Sequence, residues 1–152
     1  MEYRKILVPV DGSKLSDLAF EQALYLSRMN KAKVTVVHVA SRITVPYADI
    51  LGDDLISSIS SLNGGVENMG KDILERYRER GKRAGVDIDT RLLVGDVPTE
   101  IVRASEDFDL VVMGIHGKEP LSSLFLGNTA KKVTDHCRTH ILLVRERTRK
   151  TG

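Results

Sequence analysis

The chain has 152 residues, 41% of them apolar and 29% charged, with a formal net charge of +2. That suits one packed domain over residues 1–152 and excludes a disordered chain. The single cysteine, Cys137, rules out an internal disulfide framework, and so small a charge gives no ground for a nucleic-acid partner.

No uninterrupted apolar segment of signal-peptide or membrane-span type occurs, so no membrane partner and a reducing, cytoplasmic setting are expected. The excess positive charge gathers in Arg145, Arg147, Arg149 and Lys150, which read as a solvated terminus.

In chain order, Ile6–Val10 is an apolar run that stops at Asp11-Gly12-Ser13 and predicts the first strand. Leu15, Leu18, Ala19, Ala23 and Leu26 then share one helical face, with Ser13 as N-cap. Val34–Val39 is a second, β-branched strand. Residues 41–64 contain Pro46, Gly52 and the pair Gly64-Gly65, which predict a mobile excursion with at most a short helix.

A helix is expected from about Val66 to Arg83, with Met69, Ile73, Leu74 and Tyr77 on its packed side and Gly85 as its stop. Val86–Val94 follows as a strand. Asp96 or Thr99 caps a short helix through Ile101 and Ser105, and Leu110–Met113 is a buried strand. A helix over about 128–137 and a last strand, Ile141–Val144, complete the pattern.

Strands alternating with helices predict an α/β fold: a doubly wound five-stranded parallel sheet with helices on both faces. Such sheets bind ligands beyond the carboxyl ends of their strands, at the switch point in strand order. A ligand is therefore expected at the loops after Val10, Val39 and Met113.

Met113-Gly114-Ile115-His116-Gly117, nine further residues and then Gly127-Asn128-Thr129 supply the parts of a phosphate site. Glycines permit positive φ and close backbone approach, and a helix starting near Asn128 aims unpaired N–H groups at the same space. Lys131 and Lys132 in that first turn, with Lys118 in the loop, fit a bound polyphosphate or equally well a solvated face. Two better-known phosphate motifs fail. Both the P-loop and the GxGxxG fingerprint need glycine where Val112 stands, and the P-loop also needs Ser or Thr at Glu119.

Gly-x2-Gly-x9-Gly after this strand resembles the nucleotide-binding signature of the ATP-binding universal stress proteins. The opening Lys5–Ser13 and the ending Cys137–Arg145 are similar to that family's first and last strands. The resemblance implies a Rossmann-like fold of the adenine nucleotide alpha hydrolase-like kind. It implies ATP or a related adenine nucleotide, with Mg2+ held by the phosphates. The nucleoside end would be lined by Val8, Pro9, Val10, Asp11 and the Val39 backbone. The phosphate end would be lined by Met113, Gly114, His116, Gly117, Gly127, Asn128 and Thr129. It further implies a homodimer through the last strand, residues 141–144, acting as a nucleotide-dependent switch in the stress response.

This chain departs from the pattern at Asn128, where the family places Ser or Thr. Asn is a good N-cap and its amide can donate to a phosphate oxygen. Asp11 has a second reading, an Asx turn at the start of the first helix, and the two roles are compatible. His38 reads as a packed or half-exposed strand residue. His116 reads either as a phosphate neighbour or as an exposed loop residue. The four histidines lack metal-ligand spacing, so no zinc site is expected.

A slow ATPase or nucleotide-transferring enzyme on the same sheet is the alternative. Against it, the sequence has no P-loop lysine, no evident water-positioning residue and no paired metal carboxylates. A phospho-acceptor receiver domain would need an acidic cluster near Asp11 and a lysine after the last strand, where Arg145 stands.

Overall fold

The computed structural model describes residues 2–118 and 125–147. β1 (Lys5–Pro9), β2 (Lys33–Ala40), β3 (Ile88–Val94), β4 (Leu110–Gly114) and β5 (His140–Val144) form one parallel sheet in the order β3-β2-β1-β4-β5. Between them run α1 (Lys14–Asn30), α2 (Asp53–Arg83), α3 (Val97–Ser105) and α4 (Asn128–His136). The chain steps outward from β1 to β3, then returns to lay β4 on the other side of β1. The expected doubly wound α/β sheet is therefore present, and its strand order reverses beside β1.

Alternation along the strands sends side chains to two cores. Ile6, Val8, Val34, Val36 and Val112 pack under α1 and α2 with Phe20, Ile73, Leu74 and Tyr77. Leu7, Val37, Val39, Val111 and Met113 pack under α3 and α4 with Ile101, Ala130 and Val133. Burial on both faces explains why these strands read as continuous apolar runs. Within α1 the packed side includes Phe20 and Leu24, while Leu18 and Leu26 lie at its half-buried margin.

Caps set the helix ends. The Ser13 hydroxyl oxygen accepts from the Ser16 N–H at the start of α1, and an Asp96 carboxylate oxygen accepts from the Thr99 N–H at the start of α3. The α2 helix gives way at Ala84, and Gly85 follows with a φ of 73°.

The 41–64 excursion needs correction. A single 3-10 turn covers Ala48–Ile50, and α2 begins at Asp53, passing straight through Gly64-Gly65. Each glycine costs a helix only about 1 kcal/mol relative to alanine. Offsetting that, the packed C-terminal half anchors the helix and two contacts strap the excursion to it. The Asn63 amide accepts from the Ile43 N–H at 2.8 Å and donates to the Ile43 carbonyl at 3.2 Å. The Arg42 guanidinium pairs with Glu67. Met69 is corrected too: it is 62% exposed, outside the packed stripe that begins at Gly70.

Candidate functional site

The loops after β1, β2 and β4 meet over the reversal in strand order and enclose a cleft of about 410 Å³. That lies within the range typical of small-molecule sites. Its lining contains Pro9, Val10, Asp11, Val39, Met113, Gly114, His116, Gly117, Gly127, Asn128 and Thr129. The fold thus gathers eleven of the twelve residues singled out in the sequence. Val8 is the exception, fully buried one residue inside the rim.

Asp11 is the best-defined polar group. Its Oδ1 accepts from the Ser13 N–H at 2.9 Å and from the Ser16 hydroxyl at 2.8 Å. In return the Asp11 N–H donates to the Ser16 hydroxyl oxygen at 3.0 Å. The Asx turn is therefore real, and it occupies only one carboxylate oxygen. A Cβ added at Gly117 would lie 2.3 Å from the other, Oδ2.

Burial of Asp11 favours the neutral acid, but hydrogen bonds from Ser13 and Ser16, with Lys118 nearby, outweigh it and lower the pKa. The carboxylate is thus ionised near neutrality. A depressed folded-state pKa contributes stability above the unfolded value near 3.9, and that contribution is lost as pH falls through the folded value. Asp11→Asn is accordingly expected to destabilise the chain more at pH 7 than at pH 3. Urea unfolding at both values checks this; an equal loss at both would remove the ionised carboxylate from the account.

The glycine loop is shaped by closeness rather than by backbone sign. Among the described glycines positive φ is confined to Gly12, Gly85 and Gly95, so of the two freedoms glycine gives at 114, 117 and 127 the structure uses close approach and not positive φ. A Cβ at Gly114 would sit 2.8 Å from the Leu15 Cβ, and one at Gly127 would sit 2.9 Å from the His116 Cα. The Gly127 N–H donates to the Ile115 carbonyl at 2.7 Å, and the Ile115 N–H donates to the Val144 carbonyl at 3.0 Å. These bonds bring the start of α4 back to the end of β4, whatever path the intervening residues take.

Asn128 is the first residue of α4, and the cap position belongs to Gly127, which makes no side-chain capping bond. The expected N-cap role of Asn128 is corrected on that ground. Its exposed side chain lies on the cleft and is spared from capping. Lys131 reaches Asp135 at 3.3 Å, one turn along the helix and away from the cleft. Lys118 lines the cleft.

Sequence reasoning missed Ser16, Val37, Val97, Ile101 and Ala130, and left His38 as a strand residue. His38 is half-buried, with its Nδ1 2.8 Å from the Val10 carbonyl oxygen, and it lines the cleft. Gly70 of α2 packs against it, since a Cβ there would meet the ring at 2.8 Å. Val97 and Ile101 supply an apolar wall from α3. The Ser13-x-x-Ser16 spacing beside Asp11 was a readable signal for Ser16; nothing local marked the α3 wall.

A second groove, of about 460 Å³, follows the β3 edge among Arg78, Lys82, Asp87, Asp89 and Arg91. Its charges are partly spent on neighbours: Arg78 bonds to Thr90, and Asp89 pairs with Lys33 outside the groove at 3.0 Å. Its lining has no glycine and no carboxyl end of a strand. Among the described residues, no group of three or more His, Cys, Asp or Glu side chains could hold a metal. No described helix is long and apolar enough to cross a membrane.

The model of the family described as "Universal stress protein family" matches residues 2–145. The chain is 30% identical to universal stress protein MJ0531 of Methanocaldococcus jannaschii over 146 residues, 95% of this chain and 83% of that one. The structure of UspA from Lactobacillus plantarum aligns with a TM-score of 0.80 at 23% identity, covering 95% of this chain and 99% of that one. Two further structures share the fold with TM-scores of 0.63. One is a family member from Arabidopsis thaliana with AMP bound, at 17% identity and covering 98% of this chain and 95% of that one. The other is an Archaeoglobus fulgidus universal stress protein in complex with dAMP, at 21% identity and covering 95% and 100%.

Proposed function

The chain belongs to the universal stress protein family, and from that premise we propose that it is an adenine-nucleotide-binding module taking ATP in the cleft beyond β1, β2 and β4. One observation carries the reading. Asp11 holds an ionised carboxylate whose second oxygen takes no hydrogen bond from the described residues, directly against Gly117 of a loop whose glycines leave no room for a Cβ. A carboxylate in that place accepts from ribose hydroxyls, and the crowded main chain beside it offers N–H groups to phosphates. The AMP and dAMP held by two structural neighbours are compatible with the same assignment.

In this reading Val10 and Asp11 face the nucleoside, and the Val39 backbone meets the adenine edge against the Val97–Ile101 wall. Gly114, Gly117 and Gly127 approach the phosphates, with His116, Asn128 and Thr129 beside them. Mg2+ enters with the nucleotide, held by its phosphates, because the described residues offer no cluster of protein ligands. Residues 1–152 act as one domain. Two copies pair through β5, an edge strand whose Ile141, Leu142, Leu143 and Val144 are only half-buried, and nucleotide occupancy changes what the pair presents to its partners in a stress response.

Titration with ATP, ADP and AMP, with and without magnesium, tests the assignment. Affinity is expected to rise with phosphate number. Asn128→Ala is expected to weaken ATP by about ten- to a hundredfold, the worth of one hydrogen bond to a charged oxygen, and to leave AMP nearly unchanged. Equal affinity of native and variant chains for ATP would remove Asn128 from the phosphate end.

A further inference from the structure

The N-terminal half of α2 behaves unlike the rest of the molecule. From Asp53 to Met69 none of its residues is buried, while every buried residue of the helix lies at Gly70 or beyond. Yet it carries large apolar side chains: Leu55 is 51% exposed, Leu62 57% and Met69 62%, at strict seven-residue spacing. Ile59 and Val66, both half-buried, fall between them, so that 55, 59, 62, 66 and 69 step by four and three in turn. That alternation marks the a and d positions of a two-helix seam. The seam runs on into Ile73, where the same stripe enters the core.

Composition sharpens the contrast. Leu55 to Val66 reads LISSISSLNGGV, without a charge, on a helix surface facing water. Four serines and two glycines make this a poor helix on intrinsic propensity, each glycine costing about 1 kcal/mol against alanine. An isolated helix of this length is marginal even with good residues. Small side chains do, however, let a second helix come close.

The surrounding charges choose the occupant. Between Arg42 and Lys71 there is no lysine or arginine, and Asp49, Asp53, Asp54 and Glu67 are the only charges. An anionic membrane surface, which calls for basic residues on the polar flank, does not fit. A second copy of the same uncharged seam does. Set antiparallel about Leu62, Leu55 of each helix faces Met69 of the other, and the acidic pair Asp53-Asp54 of each lies at the end that carries the other's Lys71. A parallel arrangement would stack the two acidic pairs and align the helix dipoles unfavourably.

We propose that residues 53–69 of α2 form a self-association surface, pairing antiparallel with the same segment of a second copy of this chain, with Leu62 on the two-fold axis. The surface is separate from the β5 edge, so a chain using both builds assemblies larger than a dimer, closed or filamentous according to the geometry. The excursion strapped to α2 through Asn63 and Arg42 adds Tyr47 and Ile50, 79% and 82% exposed, near the same end of the helix.

The test uses the full chain with Cys137→Ser as background. Leu62→Cys is expected to form an intermolecular disulfide under mild oxidation at least roughly tenfold faster than Ser57→Cys, because only residues on the axis reach the ~5.5–6 Å Cα separation a disulfide needs. Ser57 lies on the same helix but away from the seam, so the pair of variants removes any effect of mere exposure. Leu62→Glu, at an exposed position that leaves the fold intact, is expected to lower the sedimentation mass at a fixed concentration without changing the far-ultraviolet circular dichroism. Equal cross-linking at the two positions, or an unchanged mass in Leu62→Glu, overturns the proposal and leaves the seam to a different partner.

Discussion

Gly117→Ala is expected to weaken adenine-nucleotide binding by at least about tenfold, ~1.4 kcal/mol, while costing the fold only about 1–2 kcal/mol. The new methyl would stand 2.3 Å from the Asp11 Oδ2, well inside contact distance. Asp11 has little freedom to yield, because its Oδ1 is held by the Ser13 N–H and the Ser16 hydroxyl. Either the carboxylate turns out of those bonds or the loop lifts from the end of β4. Both outcomes spoil the corner where the proposed nucleotide's nucleoside and phosphates would meet, and neither disturbs the cores beneath.

A double-mutant cycle separates this mechanism from general damage. In an Asp11→Ala background the methyl at residue 117 meets no carboxylate, so the two losses should fail to add by about 1 kcal/mol or more. Calorimetric titration of the four chains measures the coupling. Strict additivity would mean that Asp11 and Gly117 act on the nucleotide independently, and the close approach between them would lose its functional meaning.

How far the sequence could lead depended on whether a signal was local. The five strands were legible because burial on both faces leaves unbroken runs such as Ile6–Val10 and Leu110–Met113. Their positions then implied which loops share an edge. The glycine spacing after β4 was legible for the same reason: it is one short stretch that begins at a strand end. What it could not give was the cause of each glycine. Positive φ and close approach were both open, and the approaches that decide between them bring Leu15 and Asp11 from the far end of the chain and fold His116 of the same loop back on Gly127.

The start of α2 was hidden by Gly64-Gly65, a local breaking signal offset by the packed half of the helix beyond Gly70 and by the Ile43–Asn63 and Arg42–Glu67 contacts, which join residues 20 and 25 positions apart. The apolar wall of the cleft, Val97 and Ile101, was hidden because α3 looks like any short amphipathic helix until the sheet order places it beside β2.

Phe20→Ala is expected to cost about 3–5 kcal/mol, the loss typical of emptying a fully buried aromatic site. Phe20 is fully buried where α1 crosses α2, with its ring 5.0 Å from that of Tyr77 at 68°, an edge-to-face contact. The Tyr77 hydroxyl donates to Asp17 at 2.7 Å, and burial together with that acceptor pushes its pKa far above the usual phenol value, so it stays a donor. The Arg80 guanidinium covers both rings at 5.4 and 5.6 Å and reaches Asp17 at 2.8 Å. Removing Phe20 therefore opens a cavity and unseats the charged lid over it. Tyr25→Ala, on the exposed side of the same helix, should cost no more than about 0.5 kcal/mol.

The clasp also bears on the cleft, since α2 carries Gly70 against His38 and α1 carries Ser16 under Asp11. Nucleotide at a hundred times its dissociation constant restores about 2.7 kcal/mol to any chain whose site survives. Urea unfolding of Phe20→Ala with and without ATP therefore reads core and site together. An undiminished increment shows that the cleft is framed by strand ends and the glycine loop alone. A reduced one shows that the clasp holds Asp11 and His38 in place, because the native state being stabilised is then no longer the one that binds.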